Sequence, residues 1–79
     1  MTITVLSKPA CPQCTATKRK LDSLGIEYSV TDLSEDPDAL AHAKSLGYLG
    51  APVVLAGEDH WSGYRPDKLD ELASILSAA

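Results

Sequence analysis

The sequence predicts one small α/β domain, in which three helices flank a mixed sheet of four strands. Short apolar runs alternate with stretches of helical periodicity, which gives the element order βαβαββα. Capping residues, prolines and glycines mark where the helices begin and end. The chain has 79 residues and contains no internal repeat, low-complexity tract or linker. We therefore expect residues 1–79 to fold as a single domain.

The first part of the chain predicts a strand, a helix and a second strand. The apolar run Thr2–Leu6 predicts a short buried strand, and Pro9 favours an extended backbone at Lys8, which helps to end it. Gly25 is placed to end the helix, and the alternating run Glu27–Asp32 predicts the second strand. One face of the helix should be formed by Cys14, Thr17, Leu21 and Leu24.

A second helix is predicted to begin at Asp36, a good N-cap residue, with Pro37 at its first helical position. Gly47 is predicted to end this helix, and the loop that follows leads to Pro52. The residues at helical spacing, which should form its buried stripe, are Leu40, Ala43 and Leu46.

The remaining residues predict a β-hairpin and a last helix. The strands Val53–Ala56 and His60–Gly63 flank a turn, and Pro66 suits the first turn of a helix. Because a crossover helix joins the first two strands, those strands should be parallel, whereas the hairpin strands should be antiparallel. The first helix then begins at the carboxyl end of the first strand, where open α/β sheets place their sites. The last helix should bury Leu69, Leu72, Ala73 and Leu76.

The only two cysteines open the first predicted helix, in the C-x-x-C run Cys11-Pro12-Gln13-Cys14. With Cys11 as N-cap, a thiolate there can accept from backbone N–H groups that lack helical partners, and the helix dipole favours the anion. The pKa of Cys11 should then lie below that of a free thiol, which makes Cys11 the nucleophile. Cys14 lies one turn further on, within disulfide reach, and should resolve a mixed disulfide. Pro12 loses no hydrogen bond at this position.

The spacing alone leaves two other roles open for the cysteine pair. A structural disulfide across a four-residue loop would contribute at most about 2 kcal/mol in the loop-entropy model. A zinc site usually needs four protein ligands, or three and a water molecule, and the other candidates, His42 and His60, stand alone in the sequence. We expect a redox-active dithiol and no bound metal.

The charge of the chain is unevenly distributed. The net charge of −4 argues against nucleic acid as a partner, yet residues 1–20 hold four cations and no acid. Residues 21–79 hold three cations against eleven acids, a balance of −8. Lys8 is therefore placed to favour a thiolate, and the basic segment favours an acidic docking surface on a partner.

Neither a transmembrane helix nor a secretory signal is expected. No apolar run approaches 18 residues, and no charged-then-apolar leader begins the chain. A C-x-x-C pair in such a chain suggests a reducing compartment, so we expect a cytoplasmic monomer without nucleic acid or membrane partners.

Taken with these elements, the chain resembles the NrdH-redoxins, glutaredoxin-like members of the thioredoxin-fold superfamily. The run W-S-G-[FY]-R-P-D near the end of the chain makes the resemblance specific, and the matching positions span nearly all of it. The residues that carry it are Lys8-Pro9-Ala10-Cys11-x-Gln13-Cys14-x-Ala16-Thr17-Lys18, Ala51-Pro52-Val53-Val54, Ala56-Gly57 and Trp61-Ser62-Gly63-Tyr64-Arg65-Pro66-Asp67.

The resemblance implies a thioredoxin fold and a thiol-disulfide oxidoreductase, which works as a protein-disulfide reductase and electron carrier. The implied substrate is the oxidised class Ib ribonucleotide reductase, whose disulfide Cys11 would attack and Cys14 would resolve. Electrons would come from NADPH through thioredoxin reductase. The protein itself would bind no cofactor and would rely on its redox-active disulfide.

The resemblance also implies site-supporting residues around the dithiol. Pro52 matches the cis-proline of the fold, with Ala51 offering its backbone to an extended substrate peptide. Trp61 is expected either to dock the reductase or to rigidify the fold with a hydrogen-bonded indole N–H. Hydrogen bonds from Ser62 and Arg65 are expected to hold the loop between them, and Arg65 has the alternative role of a purely structural cap or bridge. The full set of expected substrate-binding or supporting residues is Lys8, Pro12, Gln13, Ala51, Pro52, Trp61, Ser62, Gly63 and Arg65.

Two departures from the family pattern bear on the alternative functions. Pro12 stands where family members often carry Val or Met. Glutaredoxins bind glutathione with a Thr-Val-Pro segment and a Gly-Gly pair, whereas this chain has Gly50-Ala51-Pro52 and Ser62-Gly63. Weak glutathione activity is implied. The alternatives are a glutathione- or mycothiol-dependent glutaredoxin and a metal or iron–sulfur binding module. Gln13 is expected to present a polar tip at the mouth of the site, or else to be simply an exposed side chain.

Overall fold

The computed structural model of the protein describes residues 2–78 and contains seven elements in the predicted order. The third strand has the predicted bounds, and the bounds of the other three strands differ from the predicted ones by one or two residues. The elements are β1 (Ile3–Ser7), α1 (Pro12–Ser23), β2 (Ser29–Asp32), α2 (Pro37–Ser45), β3 (Val53–Ala56), β4 (Asp59–Ser62) and α3 (Pro66–Ala78).

The four strands form one mixed sheet in the order β2-β1-β3-β4. β1 is parallel to β2, and β3 is antiparallel to both β1 and β4, which confirms the mixed sheet and the hairpin. Val5 in the central strand lies opposite Val30 on one side and Val54 on the other. The end of β1 is thus enclosed by neighbouring strands, and the chain leaves it towards the two cysteines.

Alternate residues of the strands face two apolar cores, one on each side of the sheet. On the side of α1 and α3, Val5, Val54 and Trp61 pack with side chains from both helices. On the other side, Leu6 and Val53 pack with Ala43 of α2. The helices therefore flank the sheet on both faces, as the sequence predicts.

The predicted buried stripe of α2 is only partly correct. Ala43 is buried, but Leu46 is half-buried and Leu40 is 38% exposed. The reason is that α2 has only nine residues and shares its face of the sheet with the loop that follows, since Tyr48 and Ala51 pack on the same core. Leu40 and Leu46 are therefore left at the edge of this core.

Candidate functional site

The start of α1 holds the two cysteines in the predicted positions. Cys11 is the N-cap, in extended conformation, and Pro12 is the first helical residue. The Sγ atom of Cys11 accepts a hydrogen bond of 3.1 Å from the backbone N–H of Cys14. The two cysteines form a disulfide, with their Cα atoms 5.2 Å apart. After reduction, the same helix start would stabilise negative charge on the Cys11 sulfur.

The two cysteines differ in their access to solvent. Cys14 is 1% exposed, whereas Cys11 is half-buried at the surface. Thr17, one turn below Cys14, is also buried, and its hydroxyl donates to the carbonyl of Gln13 at 2.9 Å. A partner disulfide can therefore reach Cys11, whereas the sulfur of Cys14 is shielded from solvent.

The loop from β1 into α1 contains a strained residue directly before the dithiol. Ala10 has a φ of 55°, the one positive value at a non-glycine residue within residues 2–78. The left-handed conformation costs an L-residue about 1 kcal/mol. Sequence patterns give no sign of this, because glycine is the residue that normally marks such a position. Lys8 of the same loop is exposed and forms no ion pair in the described part of the chain.

The loop before β3 lies against the loop after β4. The Ala51–Pro52 peptide bond is cis, as expected, and Pro52 is buried. The carbonyl of Pro52 accepts a hydrogen bond of 2.9 Å from the N–H of Gly63. This bond joins two segments that the resemblance places beside the dithiol.

Gln13 connects the dithiol helix to the same loop. Its Oε1 accepts a hydrogen bond of 3.1 Å from the N–H of Tyr64, a residue 51 positions away. Gly63 has a φ of 82°, and a Cβ there would lie 3.4 Å from Oε1. The sequence predicts only a polar tip at this position, since nothing local signals a bond over such a separation. Gln13, Gly63 and Pro52 thus link three segments around the cysteines.

The Gln13 link can be tested by two substitutions of similar size. Gln13→Met removes the acceptor, so we expect the amide of Tyr64 to exchange with solvent several-fold faster and the protein to lose about 0.5–1.5 kcal/mol of stability. Gln13→Glu keeps an acceptor and should protect the amide. Hydrogen exchange followed by NMR measures both effects. Equal exchange in the two variants would show that the bond does not hold the loop.

Trp61 lies in the core on the side of α1 and α3 and is 5% exposed. Its Nε1 is buried and has no hydrogen-bond partner within residues 2–78, so the expected hydrogen-bonded indole N–H is wrong. The ring packs among apolar side chains such as Leu72, which offer no acceptor. Lys68 places its Nζ 5.4 Å from the ring centroid and 3.3 Å from Asp59. The placement favours the structural role for Trp61.

Within residues 2–78, Arg65 and Ser62 do not form the hydrogen bonds expected across the loop between them. Arg65 pairs along the chain with Asp67 through two hydrogen bonds, of 3.1 and 2.9 Å, at the start of α3. These bonds hold the pKa of the Asp67 carboxyl below its ordinary value and raise the pKa of Arg65. The Ser62 backbone pairs with Val53 in the sheet, and its side chain forms no hydrogen bond in the described region.

The two histidines do not form a metal site with the cysteines. Across residues 2–78, no group of three His, Cys, Asp or Glu side chains is arranged to hold a metal ion. His42 is exposed on α2, and Nδ1 of His60 lies 2.7 Å from the hydroxyl of Tyr48.

Within residues 2–78, no helix has the length and apolar character needed to cross a bilayer.

Comparisons with known proteins agree with this geometry. Residues 3–61 match the glutaredoxin family model. The glutaredoxin-like protein NrdH of Salmonella typhimurium is 40% identical over 100% of this chain and 98% of its own length. The NrdH-redoxin structure from Escherichia coli, a glutaredoxin-like protein with a thioredoxin-like activity profile, has a TM-score of 0.88. It is 36% identical and covers 91% of this chain and 95% of its own.

A more distant solved structure shows the fold with a small thiol present. A buckwheat glutaredoxin in complex with glutathione is 25% identical, with a TM-score of 0.74 over 96% of this chain and 79% of its own. The higher identity and TM-score of the NrdH-redoxin place this chain nearer to that branch.

Proposed function

The chain belongs to the glutaredoxin family and, within it, to the NrdH glutaredoxin-like redox proteins, and from this premise we propose that it donates electrons to class Ib ribonucleotide reductase. Thioredoxin reductase would reduce its disulfide to the dithiol with electrons from NADPH. The protein would act as a cytoplasmic monomer. The observation that carries the proposal is the pair of sulfurs at the start of α1, one accessible and one buried.

The reaction follows from this arrangement. The Cys11 thiolate attacks one sulfur of the partner disulfide, which forms a mixed disulfide and releases the other partner sulfur as a thiolate. The Cys14 thiolate then attacks Cys11 Sγ and releases the second partner thiolate. The partner gains two electrons and, once its thiolates are protonated, two protons. This protein is left with the Cys11–Cys14 disulfide that the structure contains.

Re-reduction reverses these steps with a dithiol donor. A dithiol of thioredoxin reductase, which NADPH reduces through the flavin of that enzyme, attacks Cys11 because Cys14 is buried. The disulfide of the reductase forms as the two cysteines here become thiols. The proposed reaction uses no metal or bound cofactor on this chain, and the burial of Cys14 restricts access to its sulfur.

The start of α3 supports a protein dithiol as the reductant in preference to glutathione. The N–H of Tyr64 is already bonded to Gln13, and the Arg65 guanidinium is paired with Asp67. The N–H of Tyr64 and the Nε and Nη2 groups of Arg65, which could bind a carboxylate of a small peptide thiol, are therefore engaged within the protein. The glutathione-bound buckwheat relative is the reason to keep a glutathione-linked reaction as the second candidate.

A coupled assay tests the proposal directly. Oxidised protein is mixed with NADPH and purified thioredoxin reductase, and the oxidised class Ib ribonucleotide reductase is the final acceptor. We expect NADPH oxidation and nucleotide reduction that both depend on this protein. The control replaces thioredoxin reductase by glutathione and glutathione reductase. Turnover in the control alone would refute the proposal and favour the glutaredoxin reaction.

A further inference from the structure

A shallow groove of about 600 Å³ runs along the outer face of α1, directly beside the dithiol. It begins at Pro12, inside the C-x-x-C run, and Tyr64 forms part of its opposite wall. The α1 residues that line it recur at helical spacing and are Pro12, Thr15, Ala16, Arg19, Lys20 and Ser23. The reaction described above does not involve this surface.

The charge of the groove is positive. Arg19 is exposed and has no ion-pair partner in the part of the chain that the structure describes. Lys20 is paired with Asp70 at 3.1 Å, which leaves Arg19 as the cation ready to accept a new partner. Among residues 2–78, none that lines the groove is acidic, although the chain as a whole has a net charge of −4.

The groove also offers an apolar contact and a fixed wall. Pro12 and Ala16 contribute apolar surface to the groove. Tyr64, which is 37% exposed, contributes an aromatic ring. The bond from the N–H of Tyr64 to Gln13 holds that wall against α1. A ligand would therefore meet a surface that needs little reordering, which favours binding.

We propose that this groove docks an extended acidic segment of the reductase that restores the dithiol, with at least one apolar side chain that packs between Ala16 and Tyr64. The inference rests on the proposed function, because the segment belongs to a protein that exchanges electrons with Cys11. The twelve residues of α1 extend over roughly 18 Å, which matches about five residues of an extended peptide. A long polyanion is not suited to it, since the remainder of the chain is acidic.

The groove can be tested without any natural partner. The probe is a fluorescein-labelled peptide of alternating Glu and Leu, with a matched peptide in which Lys replaces each Glu. Arg19→Glu reverses the charge at position 19 of the groove. Lys44→Glu makes the same change in net charge on α2, across the sheet, and is the control.

We expect the acidic peptide to shift the amide NMR signals of Thr15, Ala16, Arg19 and Tyr64 in the wild-type protein. Arg19→Glu should weaken this binding at least about tenfold, whereas Lys44→Glu should leave it within about twofold. Added salt should also weaken it, because Arg19 is solvent-exposed. Equal weakening by the two variants, shifts at other residues, or no binding of the acidic peptide in preference to the basic one would overturn the proposal.

A kinetic measurement separates this inference from the proposed function. In the thioredoxin reductase assay, Arg19→Glu should raise the KM for this protein at least about tenfold with little change in kcat, because docking is affected and the sulfurs are not. If the wild-type protein is not reduced at all, the proposed function fails, while the peptide measurements still decide the groove. If reduction proceeds and Arg19→Glu has the kinetics of Lys44→Glu, the groove proposal fails alone.

Discussion

Cys11→Ser is expected to reduce the rate of disulfide reduction by about 10³-fold or more, because the hydroxyl cannot replace the thiolate that attacks the partner. Cys14→Ser should behave differently. Cys11 is accessible and still attacks, but no second thiol releases the product, so a mixed disulfide should accumulate on Cys11. Mass spectrometry of each variant after reaction with an aromatic disulfide such as 5,5′-dithiobis(2-nitrobenzoic acid) measures both outcomes.

His42→Ala serves as a control, since His42 is exposed on α2, which packs on the other face of the sheet from α1. It should retain nearly the wild-type rate. A stable adduct on Cys14 of the Cys11→Ser variant, formed as fast as the adduct on Cys11, would contradict the assigned roles. Those roles depend on the buried position of Cys14.

Leu69→Ala is expected to cost about 2–5 kcal/mol of folding free energy, because it removes a fully buried side chain and leaves a cavity. Leu69 is 0% exposed and packs from α3 onto the core that contains Trp61. A domain of this size has roughly 5–15 kcal/mol of total stability, so the variant should unfold at much lower urea concentration. The fluorescence of Trp61, the only tryptophan, follows the transition.

Leu49→Ala is the matched control, since the same side chain is deleted from a position that is 95% exposed. Its effect on stability should be within about 0.5 kcal/mol. Similar losses in the two variants would mean that α3 does not bury its stripe against the sheet. The comparison therefore tests the packing that holds the strands behind the dithiol.

The order of the elements and the sheet could be predicted because their signals are local. Asp36 and Pro37 mark the start of α2, and the cap at Cys11 follows from the same rules of helix ends. The exposure of Leu40 could not be predicted, because it depends on how much of the sheet a following loop covers. Helical spacing identifies a face of a helix but not the extent of the surface opposite it.

The candidate site also combines features that local sequence signals predict with features that they do not. The roles proposed for Cys11 and Cys14 rest on a three-residue spacing at a helix start, which is visible in the sequence. The bond between Gln13 and Tyr64 depends on a contact between distant segments, and so does the lack of a hydrogen-bond partner for the Trp61 indole within residues 2–78. The left-handed conformation of Ala10 depends on the path from β1 into α1, and alanine is not a residue type that indicates such a conformation.

The tight hairpin between β3 and β4 lies at the opposite end of the sheet from the cysteines. Ala56 pairs with Ile3 at the beginning of β1, and the N–H of Gly57 bonds to the carbonyl of Thr2 at 3.4 Å, whereas Cys11 follows the far end of that strand. Glu58, at the tip, is exposed. A fluorophore or an immobilising linker attached at this tip would leave the sulfurs facing outward, so surface-tethered or single-molecule formats suit this molecule.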